Sequence, residues 1–81
     1  MGRASRPRPK KLGPKLKRIR AKFGYSQVAM AQALTFKTVY PAHISQYERG
    51  TREPPLPVLL KYAKLAGIST DTLIDDKLEY K

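Results

Sequence analysis

Residues 26–50, SQVAMAQALTFKTVYPAHISQYERG, read as two short helices joined by a loop, and the rest of the chain is arranged around them. In the first helix Met30, Ala31 and Leu34 recur at helical spacing to make one apolar stripe, while Gln27 and Gln32 fall off it toward water. Ser26 is placed to cap it, because its hydroxyl accepts a bond from a first-turn N–H that has no helical partner. Pro41 suits the first position of the second helix and biases Tyr40 toward an extended backbone. There Ile44 and Tyr47 share an inner face, which leaves Ala42, His43, Ser45 and Gln46 outside. That outer face is small, polar and uncharged. A helix of this kind suits a DNA major groove, where small residues allow close approach and an amide or hydroxyl reads base edges.

Upstream, Leu16, Ile19 and Phe23 recur at three- and four-residue spacing after Pro14, which predicts a helix stopped by Gly24, with Phe23 and Tyr47 both in the core. Residues 51–55, TREPP, form a turn-rich connector. A fourth helix is predicted from Leu56 to Ala66, with Leu56, Leu59, Leu60 and Ala63 inward and Gly67 as its stop. Ser69 then caps a short fifth helix through Ile74, from which Leu73 and Ile74 pack back on the core. The expected organisation is a disordered basic arm over residues 1–11, an all-α domain over 12–75 and a frayed tail over 76–81.

Eighty-one residues bound one small domain with a modest core. The chain has no cysteine, so neither a disulfide framework nor a cysteine metal site supplements that core, and a reducing compartment fits. No apolar run approaches the roughly 20 residues of a membrane span, and no apolar signal core follows the basic N-terminus. The expectation is a soluble cytoplasmic protein associated with the nucleoid, without membrane contact.

The net charge of +11 is unevenly placed, with ten basic residues and no acid before Phe23 and a net +1 over the remainder. Such a lopsided chain meets a polyanion by one edge. The arm residues Arg3, Arg6, Arg8, Lys10 and Lys11 are the extreme of this pattern, and Pro7 and Pro9 keep them extended.

LKRIRAKFGYSQ (16–27), ISQYERG (44–50), REPP (52–55) and LLKYAKLAGISTDTLI (59–74) together resemble the lambda-repressor and Cro class of helix-turn-helix proteins, the XRE family. The resemblance implies a five-helix lambda-repressor-like domain. It implies phosphate contacts from Gln27, with Ser26 beside it, and from Arg49, Thr51 and Arg52 beyond the third helix. It implies a structural ion pair between Arg20 and Glu48, and base readout from the first positions of the third helix, Pro41 and Ala42, and one turn on at Gln46. Nine residues separate Leu34 from Ile44, a longer turn than is usual in the family. Pro41 and Ala42 carry no hydrogen-bonding side chain, which moves readout to His43, Ser45 and Gln46, with Ala42 meeting at most a thymine methyl. The longer loop adds Lys37, Thr38 and Tyr40 as backbone contacts.

The leading expectation is therefore a sequence-specific regulator of transcription that binds double-stranded DNA as a homodimer on a near-palindromic operator. The alternative is an adaptor of the same fold whose partner is a protein, such as an antitoxin or a coactivator. An enzyme is not expected: no paired carboxylates, activated nucleophile, phosphate-cradling loop or metal set is evident, and neither a cofactor nor a metal is called for. The lone histidine, His43, has no nearby carboxylate or cysteine to make it a ligand.

Overall fold

The computed structural model describes residues 9–80, so the expectations placed on Arg3, Arg6 and Arg8 lie outside the described residues. Within them the chain forms α1 (Leu12–Phe23), α2 (Gln27–Leu34), α3 (Pro41–Arg49), α4 (Leu56–Ala66) and α5 (Thr70–Ile74). The helix ends fall where local chemistry places them. The Ser26 hydroxyl accepts the Ala29 N–H at 3.0 Å and the Ser69 hydroxyl the Thr72 N–H at 3.3 Å, each satisfying a first-turn donor. Gly50 ends α3 at φ 78°, a left-handed conformation in which a side chain is strained.

Packing is organised by α3, which lies against both α1 and α2, while α4 and α5 close the far side of α1. Leu16 and Ile19 from α1, Met30 and Leu34 from α2, and Ile44 from α3 are fully buried, and Tyr62 and Leu73 join them from α4 and α5. Gly13 makes the approach of α1 to α3 possible. A Cβ there would overlap the carbonyl oxygen of Glu48 and lie 3.0 Å from that of Tyr47. In the sequence this glycine, followed by Pro14, marks only a change of pattern; in the fold it is the crossing point of two helices.

Three core expectations are corrected. Phe23 is 41% exposed, because it is the last residue of α1 and runs past the edge of the core, where its ring stacks on Tyr25 at 5.2 Å. Leu56 and Leu60 are 66% and 47% exposed. The inner face of α4 is Val58, Leu59, Tyr62 and Ala63, a rotation that sends the large Tyr62 ring inward in place of two leucines. Ile74 stands at the surface while Leu73 is buried.

Burial pushes the Tyr62 phenol well above its usual pKa, and its hydroxyl has no hydrogen-bond partner among the described residues. A buried hydroxyl in that state opposes folding. Tyr62→Phe is accordingly expected to leave stability unchanged or to raise it by about 0–1 kcal/mol, measured by thermal melting. A clear loss of stability would mean that the hydroxyl is bonded.

The tail beyond α5 is held against α1. The Asp76 carboxylate accepts the backbone N–H groups of Lys10 at 2.9 Å and Lys11 at 3.0 Å, and Lys22 places its ammonium 4.3 Å from the centre of the Tyr80 ring. Asp76 and the root of the arm therefore meet, while Tyr80 lies against the last turn of α1. The reason is that the start of α1 presents unpaired donors and the tail supplies an acceptor for them. Lys15, counted above only as charge, is buried on the stripe of Leu12, Leu16 and Ile19; its ammonium donates to the carbonyls of Thr72 at 2.7 Å and Asp75 at 2.9 Å.

The bonds from Lys11 and Lys10 hold the Asp76 carboxyl below its ordinary pKa. A depressed carboxyl contributes stability that is present above the ordinary aspartate value, about 3.9, and is lost as pH falls through the folded one. Asp76→Asn should flatten the acid side of a melting-temperature profile below about pH 4 and lower the plateau above it. An unaltered acid limb would show that the bonds contribute nothing.

Candidate nucleic-acid interface

The start of α3 is built by Tyr40 and His43. Tyr40 is extended, at φ −110° and ψ 163°, and Pro41 follows at the first helical position, where a missing N–H costs nothing. The Tyr40 carbonyl accepts the N–H groups of His43 and Ile44, while its own N–H donates to His43 Nδ1 at 3.1 Å. With Nδ1 accepting, the neutral imidazole carries its hydrogen on Nε2. His43 lies between the rings of Tyr40 and Tyr47, at 5.6 and 6.4 Å, on the flank of α3.

Because Ile44 and Tyr47 are buried, helical geometry turns Ala42, Ser45, Gln46 and Arg49 outward together. Ala42 and Arg49 are exposed, Ser45 and Gln46 half-buried. The left-handed turn at Gly50 folds the next residues back beside them. The Thr51 N–H donates to the Gln46 carbonyl at 3.0 Å, and Arg52 Nε donates to Gln46 Oε1 at 2.7 Å.

Two grooves flank the start of α3. One is lined by Val28, Gln32, Lys37, Tyr40 and Pro41. The other collects Thr38, His43 and Arg52 above Phe36 and Val39. The long loop thus tucks Val39 into the core and leaves Lys37, Thr38 and Tyr40 at the surface. Ser26 and Gln27 stand at the first turn of α2, with the Ser26 hydroxyl occupied in capping. Lys10 and Lys11 are exposed at the start of α1, and Pro9 before them shares a small groove with Tyr47 and Arg52. The root of the basic arm therefore leaves the domain beside the α3–α4 connector.

Behind this surface, Arg20 and Glu48 form a two-pronged ion pair, Nε to Oε2 at 2.6 Å and Nη2 to Oε1 at 3.0 Å. A third guanidinium nitrogen, Nη1, donates to the Tyr25 carbonyl at 3.0 Å. The Glu48 side chain is only 5% exposed and that of Arg20 18%. The hydrogen bond to Glu48 holds the Arg20 guanidinium even further above neutrality than usual, against the opposing effect of burial. One clamp thus fastens the end of α3, the end of α1 and the turn between α1 and α2.

Among the described residues no cluster of three or more His, Cys, Asp or Glu is placed to hold a metal, and no helix is long and apolar enough to cross a membrane. Sequence reasoning did not find the Gln46–Arg52 bond. Its only signal was the glycine between them, which returns the chain toward the last turn of α3.

Among the described residues, five helices with the third presented outward define a lambda-repressor-like helix-turn-helix protein, and the chain belongs to the helix-turn-helix family, whose model matches residues 16–73. It is 40% identical over 63 residues to the HTH-type transcriptional regulator ImmR of Bacillus subtilis (strain 168), covering 78% of this chain and 47% of that protein. It is 39% identical over 62 residues to the SPbeta prophage-derived uncharacterized HTH-type transcriptional regulator YonR of the same organism, covering 76% and 55%. The chain thus spans about half the length of the curated relatives it matches. A crystal structure of the P22 c2 repressor protein in complex with synthetic operator 9T superposes with a TM-score of 0.70 at 29% identity, over 80% of this chain and 94% of that one.

Proposed function

We propose that this chain is a sequence-specific, double-stranded DNA-binding regulator of transcription that lays α3 in the major groove. The observation that carries the reading is the outer face of α3: uncharged Ala42, Ser45 and Gln46, with the cations Arg49 on the same face, Arg52 bonded to Gln46, and Lys37 in the groove beside Pro41. Groups that read bases stand in the middle and groups that meet phosphates stand around them. Ala42, Ser45 and Gln46 face the base edges, with His43 at their flank. Ser26, Gln27, Lys37, Thr38, Tyr40, Arg49, Thr51 and Arg52 meet the backbone. Two relatives described as transcriptional regulators and a structural neighbour solved in complex with a synthetic operator support this reading.

The protein acts as a homodimer on a near-palindromic site, since one short helix discriminates an operator poorly by itself. Leu56 and Leu60, one turn apart on α4, supply exposed apolar surface for association. Its place of action is the nucleoid.

The basic arm, with Arg3, Arg6 and Arg8 continuing into Lys10 and Lys11, adds backbone charge neutralisation. Each phosphate neutralised steepens the fall of log affinity with log salt by about 0.9 on B-DNA, so five residues contribute a slope of up to about 4.5. Duplexes selected from a random library provide the test, by titration with the full chain and with a chain lacking residues 2–11. Truncation should weaken binding and flatten the salt dependence while preserving the selected core sequence. An unchanged slope would remove the arm from the interface, and failure to select any sequence would overturn the functional reading itself.

A further inference from the structure

We infer that Arg52 sets the base preference of Gln46 by holding its amide in one orientation, so that the reading helix presents donors and favours guanine. This rests on the functional reading above and adds to it the identity of the base edge read. A glutamine amide is ambidextrous: its oxygen accepts two bonds and its nitrogen donates two. A free glutamine uses one of each on adenine, accepting from N6 and donating to N7.

Here the choice is made before any duplex arrives. Arg52 Nε lies 2.7 Å from the Gln46 amide oxygen, and a guanidinium has only donors, so the atom facing it must be the oxygen. The charge on Arg52 strengthens that bond over a neutral one. The backbone holds the pair in register, because Gln46 is on the outer face of the last turn of α3. The Gly50 turn brings Thr51 back onto the Gln46 carbonyl through both its N–H, at 3.0 Å, and its hydroxyl, at 3.3 Å.

With the oxygen engaged by Arg52, the amide meets a base edge chiefly through its N–H₂ group. Guanine offers two acceptors in the major groove, O6 and N7, and no donor. Adenine offers N7 but sets beside it an N6 donor that must compete with the charged Arg52 for the one amide oxygen, and cytosine offers only a donor. Thymine, with one acceptor, ranks between. Arg52 is thus a positioning residue for readout in addition to any phosphate contact it makes.

The test compares the full chain with its Gln46→Ala and Arg52→Met variants on duplexes selected by the wild type, substituting all four base pairs at each position. Gln46→Ala identifies the base pair that Gln46 reads, as the one whose preference it abolishes. At that pair the wild type should favour guanine over adenine by roughly tenfold. Arg52→Met keeps the bulk and removes the donor, so it should free the oxygen and turn the ranking toward adenine, whatever it does to overall affinity. A merely structural role, or a phosphate contact alone, would lower binding to all sequences and leave the ranking in place. The inference is overturned if the wild type already favours adenine there, if Arg52→Met keeps the guanine preference, or if no base pair depends on Gln46. In each of those outcomes selective duplex binding would persist and the functional reading would stand, whereas loss of selectivity for any duplex would remove that reading.

Discussion

Glu48→Ala is expected to destabilise the domain by about 3 kcal/mol, the lower end of the range for breaking a buried pair by removing one partner. The carboxylate is almost wholly buried and binds Arg20 through both oxygens, so its loss strands a cation that the fold has largely withdrawn from water. The residual exposure of Arg20, and its bond to the Tyr25 carbonyl, let it recover part of that loss, which sets the lower end. In a domain of this size each kcal/mol lowers the melting temperature by about 4–8 °C, so the variant should melt on the order of 10–20 °C below the wild type. High salt should weaken the effect little, because the pair is shielded from bulk ions. Thermal melting followed by circular dichroism checks this, and a melting temperature unmoved by the substitution would show that the clamp is not structural.

Gly13→Ala is the second large effect and the more discriminating in sign. On helix propensity alone the change should stabilise α1 by up to about 1 kcal/mol. The structure places the added methyl against the Glu48 carbonyl oxygen, a backbone atom that moves only if α1 and α3 separate. Overpacking of this kind costs about 1–3 kcal/mol. The net result should be a loss of about 1–2 kcal/mol, with the melting temperature falling. A rise would mean that α1 and α3 stand further apart than described.

These two residues illustrate how much could be read in advance. The helix boundaries were legible because caps act locally: Ser26, Ser69, Pro41 and the glycines after α1, α3 and α4 announce their roles within a few positions of chain. The inward face of α3 was legible too, since Ile44 and Tyr47 are the only large apolar residues on it. The rotation of α4 was not. Leu56 and Leu60 make as good a stripe as Val58 and Tyr62, and which one turns inward depends on neighbours far away in sequence. Gly13 carried two meanings, a break beside Pro14 or a close approach, and only the crossing with α3 separates them.

Charge concealed other features. Lys15 shares its stripe with Leu12, Leu16 and Ile19, yet its ammonium reads as surface until the carbonyls of Thr72 and Asp75 are seen to receive it. Asp76 likewise reads as part of a polar tail, because the donors it meets belong to the other end of the chain. For the candidate interface, the chemical character of α3 was visible in its residue types. The pairing of Gln46 with Arg52 was not, since it depends on the path the chain takes through Gly50.

The central claim is that the outer face of α3 reads sequence in duplex DNA. The most direct measurement is the affinity of the full chain, at about 0.15 M salt, for its best selected duplex and for a shuffled duplex of the same length and composition. Charge alone binds both alike, whereas readout separates them, typically by 10³-fold or more. The account predicts a difference on the order of 10³-fold, reduced by Gln46→Ala. Equal affinity for the two duplexes would contradict it.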